Sequence, residues 1–194
     1  MPIPAILLAA GSSSRLGHPK QLVEYHGETL LARAFRLASE AGCAPVFVVL
    51  GANVETILPV GLSDGAVPVI NRDWQQGIST SIQSGLRAVF ELLPATEGAL
   101  LLPCDQPHLS ANHIKALLRA FSNAPGVVIA ASAYDGTRGI PAVFPRSAFR
   151  QLFELRGDKG AQALFSKPPC PVLEVPFSDG GIDIDTPADL DQLQ

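Results

Sequence analysis

Unbroken apolar runs and helix-spaced apolar positions alternate along most of the chain. Residues 3–10, 45–50 and 99–102 hold no charged side chain, which predicts strands buried on both faces. Shorter runs at 67–70, 127–133 and 172–175 predict further strands, with a brief one at 142–144. Between them, Leu30, Leu31, Ala34, Phe35, Leu37 and Ala38 recur at helical spacing, so 29–41 reads as a helix stopped by Gly42. Helices are also expected over 79–93 and 110–121, with Ser110 as N-cap, and short ones over 146–155 and 160–165. A terminal helix opens at Thr186-Pro187-Ala188-Asp189, a capping residue followed by Pro and an acid in the first turn. Strands alternating with helices predict an α/β three-layer sandwich around a mostly parallel sheet.

Composition narrows this picture. The 194 residues, 47% hydrophobic and 16% charged, predict one domain over 1–194 with an ample core. Prolines and glycines, 17 of each, sit mainly between the predicted elements. A net charge of −4 and the lack of any basic block exclude a nucleic-acid or anionic-membrane footprint. Cys43, Cys104 and Cys170 form no C-x-x-C pair, so free thiols in a reducing, cytoplasmic setting are expected. The apolar start has no preceding Lys or Arg and runs straight into a loop, unlike a secretory leader. No run is long enough to span a membrane.

That loop carries the chemistry. Leu8-Ala9-Ala10-Gly11-Ser12-Ser13-Ser14-Arg15-Leu16-Gly17-His18-Pro19-Lys20 leaves a strand into small residues whose exposed N–H groups suit an anion, with two cations beside them. It lacks the Walker A spacing, and Ser13 and Ser14 stand where a dinucleotide fingerprint needs glycine. At 100–107 an apolar strand delivers Asp105 to its carboxyl end, where α/β sheets bind ligands. A carboxylate there suits Mg²⁺, although Asp also braces turns. Asp183 and Asp185 alternate along a segment that reads as extended, so both should face one side. Gly77 to Leu86 enters a helix with Ser79, Thr80, Ser81 and Ser84, offering backbone donors and hydroxyls to a base or ribose, or simple capping. Trp74 reads as packing, His18 and His108 as solvated, and Cys104 as a small buried filler.

The Leu-Ala-Ala-Gly-x-x-x-Arg-x-Gly-x-Pro-Lys pattern resembles the signature of nucleotidyltransferases with a glycosyltransferase-A-like fold, and within them the molybdenum-cofactor group. The resemblance implies a Rossmann-like nucleotide-diphospho-sugar-transferase architecture. It implies catalytic roles for Arg15 and Lys20, and nucleotide contacts from Leu8, Ala9, Ala10, Gly11, Ser12, Ser13, Ser14, Arg15, Lys20, Ser79, Ser81, Gly85 and Asp105. Mg²⁺ would be held by Asp105 and Asp185, with Asp183 in reserve. Residues 138–144 and 157–161 resemble acceptor-side segments. The implied reaction moves CMP from CTP to the phosphate of molybdopterin and releases pyrophosphate, with a molybdoenzyme as recipient of the product. Ala10 favours CTP, because the guanylyl branch usually has glycine there; Leu16 replaces the usual Met. The alternatives are a guanylyltransferase, a cytidylyltransferase acting on a sugar or methylerythritol phosphate, and a non-catalytic cofactor or nucleotide carrier.

Overall fold

A computed structural model describes residues 2–184 and 186–190. One seven-stranded sheet organises the chain, formed by β1 (Ala5–Ala9), β4 (Val46–Leu50), β5 (Ala66–Ile70), β6 (Gly98–Pro103), β7 (Ile129–Tyr134), β8 (Thr137–Pro145) and β9 (Val172–Pro176). Their order is β5-β4-β1-β6-β8-β7-β9. β5, β4, β1 and β6 run parallel, β8 is antiparallel to both its neighbours, and β7 pairs in parallel with β9. This is the mostly parallel, mixed sheet that the alternation of strands and helices predicts.

Side-chain alternation along the central strands produces the three layers. Ala5, Leu7 and Ala9 of β1 face α1 (Leu30–Glu40) and α4 (Ala111–Ser122), together with Ile57 of α2 (Val54–Gly61). Ile6, Leu8 and Ala10 face the other way, toward α3 (Ile78–Leu92) and α5 (Phe149–Phe153). Both faces are covered, which is why the strands read as continuous apolar runs. Thr29 caps α1, its Oγ1 accepting from Ala32 N at 3.1 Å, and Ser110 caps α4 in the same manner at 3.2 Å. At the start of α6 (Pro187–Leu190), the Asp189 carboxylate accepts from the Thr186 amide at 2.7 Å, half of a capping box.

Three elements depart from expectation. β8 spans nine residues where only 142–144 was anticipated, because Arg138, Gly139 and Pro141 read as loop. The sheet absorbs Pro141 by a register shift: Ala131 pairs with Ala142 but Ser132 pairs with Gly139, leaving Ile140 and Pro141 outside the ladder. α2 escaped notice because Pro59 lies inside it and Leu58 and Val60 are exposed, so no amphipathic pattern shows. The hairpin of β2 (Glu24–Tyr25) and β3 (Glu28–Thr29) turns at His26 and Gly27, both with positive φ, a type I′ arrangement. Residues 161–166 form a 3-10 helix, close to the expected short helix.

Candidate active site

The loop after β1 is closed by its own polar groups. Gln21, fully buried, donates from Nε2 to the carbonyls of Ala9 at 2.7 Å and Gly11 at 3.0 Å. Ser13 stands at φ +53°, its Oγ accepts from Lys20 N at 3.0 Å, and its carbonyl accepts from the amides of Leu16 and Gly17. Leu16 then buries against Val23, Leu30 and Ile184, so the loop is pinned to the C-terminal segment as well as to the sheet. Ile184 N donates to Asp105 O at 3.0 Å, which brings that segment to the end of β6.

Two cleft charges meet at this point. Lys20 Nζ forms an ion pair with Asp105 Oδ2, each side chain less than a fifth exposed. The pair lies on the floor of a cleft of about 370 Å³ along the carboxyl ends of the parallel strands. Leu8, Ala10, Gly11 and Ser12 line one side. The opposite wall is Trp74, Gln75, Gly77, Ile78 and Ser81, which follow β5, together with Asp158. Since β5 and β6 lie on opposite sides of β1, the cleft has a charged end at Lys20–Asp105 and a largely neutral end at Trp74–Ser81. Cys104 is buried, and burial plus the neighbouring Asp105 push its thiol up to about 12, so it carries no nucleophilic thiolate near neutral pH. Burial raises the Tyr134 phenol, with Asp183, Asp135 and Asp105 adding to the effect.

The neutral end is built by close packing. A Cβ at Gly51 would lie 2.6 Å from Trp74 Cβ and 2.9 Å from the Ala10 carbonyl, so glycine lets Trp74 sit against the first loop. Asn71, buried, donates from Nδ2 to Thr80 Oγ1 at 2.9 Å and Ser81 Oγ at 3.0 Å. Gly77 has φ +102°, and a Cβ there would come within 2.3 Å of Gly157 C. Ser79 N donates to Gly157 O at 3.2 Å, so the start of α3 is partly capped by another loop rather than left open to a ligand.

Of the predicted residues, Leu8, Ala10, Gly11, Ser12, Lys20, Ser81 and Asp105 line the cleft together. Ala9 points its side chain into the opposite core. Ser13 shapes the loop, while Ser14 and Arg15 are exposed on it. Ser79 is buried against the Gly157 loop. Gly85 does not face the cleft: a Cβ there would lie 2.3 Å from Ile6 Cγ2, so it serves close helix–sheet packing. Asp183 is exposed beside the buried Ile184. Asp185 lies outside the described residues. Trp74 both packs and lines the cleft, which the packing reading only half anticipated. Gln21 and Asn71 were not anticipated from the sequence, although an amide side chain flanking a glycine loop is a usable signal. Asp158, expected on the acceptor side, stands on the Trp74–Ser81 wall.

Fold and cleft together define a nucleotidyltransferase enzyme. The chain belongs to the MobA-like NTP transferase domain family, which it matches over residues 5–172. It is 32% identical to nicotine blue oxidoreductase of Paenarthrobacter nicotinovorans, across 95% of this chain and 92% of that protein. It is 30% identical to a probable molybdenum cofactor guanylyltransferase of Opitutus terrae, across 73% of this chain and 66% of the relative. The fold superposes on Rv0371c of Mycobacterium tuberculosis H37Rv with a TM-score of 0.83 at 29% identity, covering 100% of this chain and 98% of that one. A second structure of that protein, TM-score 0.80, is a complex with manganese. Among the described residues, no helix is long and apolar enough to cross a membrane.

Proposed function

We propose that this cytoplasmic enzyme transfers CMP from CTP to the phosphate of molybdopterin and releases pyrophosphate, supplying the product to a molybdoenzyme. The Lys20–Asp105 pair at the charged end of the cleft carries this reading. Both reactants are anions, so the reaction depends on neutralisation and alignment more than on a covalent intermediate. An acceptor phosphate oxygen bonds to the α-phosphorus, and the bond from that phosphorus to the bridging oxygen of the β-phosphate breaks. Lys20 neutralises charge at the α-phosphate, and Arg15 neutralises the departing pyrophosphate. An ionised phosphate monoester needs no general base. Gln21 and Ser13 hold the loop amides in place before substrate arrives, which is where preorganised donors gain their effect.

The donor set fits Mg²⁺. Asp105 presents an all-oxygen carboxylate at the cleft floor. A lone protein carboxylate suits an ion that takes most of its ligands from phosphate and water. Bound there by Asp105, with Asp185 as second carboxylate, Mg²⁺ would add Lewis-acid neutralisation of the triphosphate. The manganese complex of the mycobacterial relative supports divalent-ion use in this fold.

CTP, GTP, ATP and UTP, each tested with molybdopterin and with simple sugar phosphates, with and without Mg²⁺, make the deciding assay. Strict Mg²⁺-dependent pyrophosphate release from CTP with the pterin is expected. Preference for GTP would overturn the role given to Ala10, and release with no combination would overturn the transferase reading. The 32% identical oxidoreductase supplies a second reading, reduction of an acceptor. NAD(P)H consumption in the same wells, without pyrophosphate, would favour it.

A further inference from the structure

We propose that Asp158 is a specificity-determining residue that accepts a hydrogen bond from the ribose 2′-hydroxyl or the base amino group of the bound nucleoside. The inference rests on reading the cleft as a nucleoside triphosphate site. Asp158 and Asp105 both line that cleft, but they occupy different ends of it. Asp105 is paired with Lys20. Asp158 stands beside Gly77 on the Trp74–Ser81 wall, its own amide within 2.7 Å of where a Gly77 Cβ would be. An exposed carboxylate in the path of a polyphosphate would only repel it. At the far end, where the proposed triphosphate reading puts the nucleoside, a carboxylate has another use. It accepts hydrogen bonds and never donates them, so it selects N–H or O–H groups. An amino-bearing base and a ribose both supply such groups, whereas the carbonyl at the corresponding edge of uracil is an acceptor.

The loop that presents Asp158 is fixed in place. Gln83 Nε2 donates to the carbonyls of Phe153 at 3.1 Å and Leu155 at 2.9 Å. Arg156 Nη1 donates to the same two carbonyls at 2.9 and 2.7 Å. Leu155 and Ala161 are buried on either side of the loop. Gly157 O takes the Ser79 amide, and Gly77 fits against the Gly157 backbone with no room for a side chain. The backbone that carries the carboxylate is thus held in place, as specificity between similar ligands requires.

Calorimetric binding of CTP, 2′-deoxy-CTP and UTP with Mg²⁺ to the wild type and to Asp158→Ala tests the assignment. Loss of a hydrogen bond to a charged group predicts a fall in CTP affinity of about 10- to 100-fold. The fall should vanish for at least one analogue: 2′-deoxy-CTP if the donor is the ribose hydroxyl, UTP if it is the base amino group. Asp158→Asn, which adds a donor, should raise UTP affinity relative to CTP in the second case. Unchanged affinity for CTP overturns the proposal while leaving the cleft assignment standing. So does an equal change for all three nucleotides, which would make the carboxylate a general repulsive charge or a structural support. A wild type that binds none of the three overturns the cleft assignment and this proposal with it.

Discussion

The two ends of the cleft are made by opposite means. The charged end gathers one contiguous stretch, residues 8–21, and meets it with a distant carboxylate, Asp105. The neutral end is assembled from Gly51, Asn71, Trp74, Gly77, Ser81 and the 153–158 loop, and is held by backbone contacts too tight for any side chain at Gly51 or Gly77. Charge at the first end can be removed with the backbone intact, whereas shape at the second belongs to the core. Substitutions should therefore separate chemistry from folding at one end and fail to do so at the other.

Asp105→Ala offers the largest separation. Its carbonyl still receives Ile184 N, so the C-terminal segment keeps its anchor. Turnover should fall by about 10²–10³ or more, as for loss of one preorganised charged group. Near-native circular dichroism and a melting point within a few degrees should accompany that loss, and retained turnover would mean that the carboxylate has no part in the reaction.

Gly77→Ala should erase the separation at the other end. A β-carbon at φ +102° and 2.3 Å from Gly157 C must displace one loop or the other. A stability loss of about 2–4 kcal/mol is expected in urea unfolding, together with weaker nucleotide binding. Full stability with binding unchanged would contradict the close-packed description of this wall.

Gln21→Ala sits between the two cases. It strips the buried Ala9 carbonyl and the half-buried Gly11 carbonyl of a donor and opens a cavity below the charged loop, which predicts a loss of about 2–3 kcal/mol. Activity should fall alongside stability, since the loop amides lose their support; a variant as active and stable as the wild type would show the loop to be held by other means.

The smallest effect lies away from the cleft. Ser132 Oγ donates to Pro141 O at 2.7 Å, so His113 Nε2, 2.8 Å from the same oxygen, carries the proton and donates. Burial lowers the His113 ring to about 4 from its ordinary 6.5. The unfolded chain then binds the proton first, so stability is complete above about pH 6.5, declines as pH falls toward 4 and levels below it. Allowing for the ring's partial exposure, the loss is about 1–2 kcal/mol. Melting curves between pH 7.5 and 4.5 should show the decline in the wild type and a flatter profile in His113→Gln; parallel profiles would rule His113 out.

The same contrast explains what the sequence made legible. Ala10, Gly11, Lys20 and Asp105 announce themselves because a small-residue loop with two cations, and an apolar strand ending in an acid, are local patterns. The sheet's parallel half is equally plain, since strands buried on both faces carry no polar residue. Gly85, to which the resemblance gave a nucleotide contact, has a packing role with no local sign in the sequence: Ile6 lies 2.3 Å from where its Cβ would be. Asp158 gave no local sign of its place, because Gly77, 81 positions earlier in the chain, fixes where it stands. β8 was read short because the register shift that accommodates Pro141 belongs to its partner strand. Long-range packing, not chemistry, was the hidden part.

The central claim is the polarity of the cleft, phosphates at Lys20–Asp105 and nucleoside at Trp74–Ser81. A crystal structure with a non-hydrolysable CTP analogue and Mg²⁺ tests it most directly. The α-phosphate should lie within hydrogen-bond reach of Lys20, with the base between the Ala10–Ser12 loop and Ser81. A nucleotide bound in the reverse sense, or outside this cleft, would contradict it.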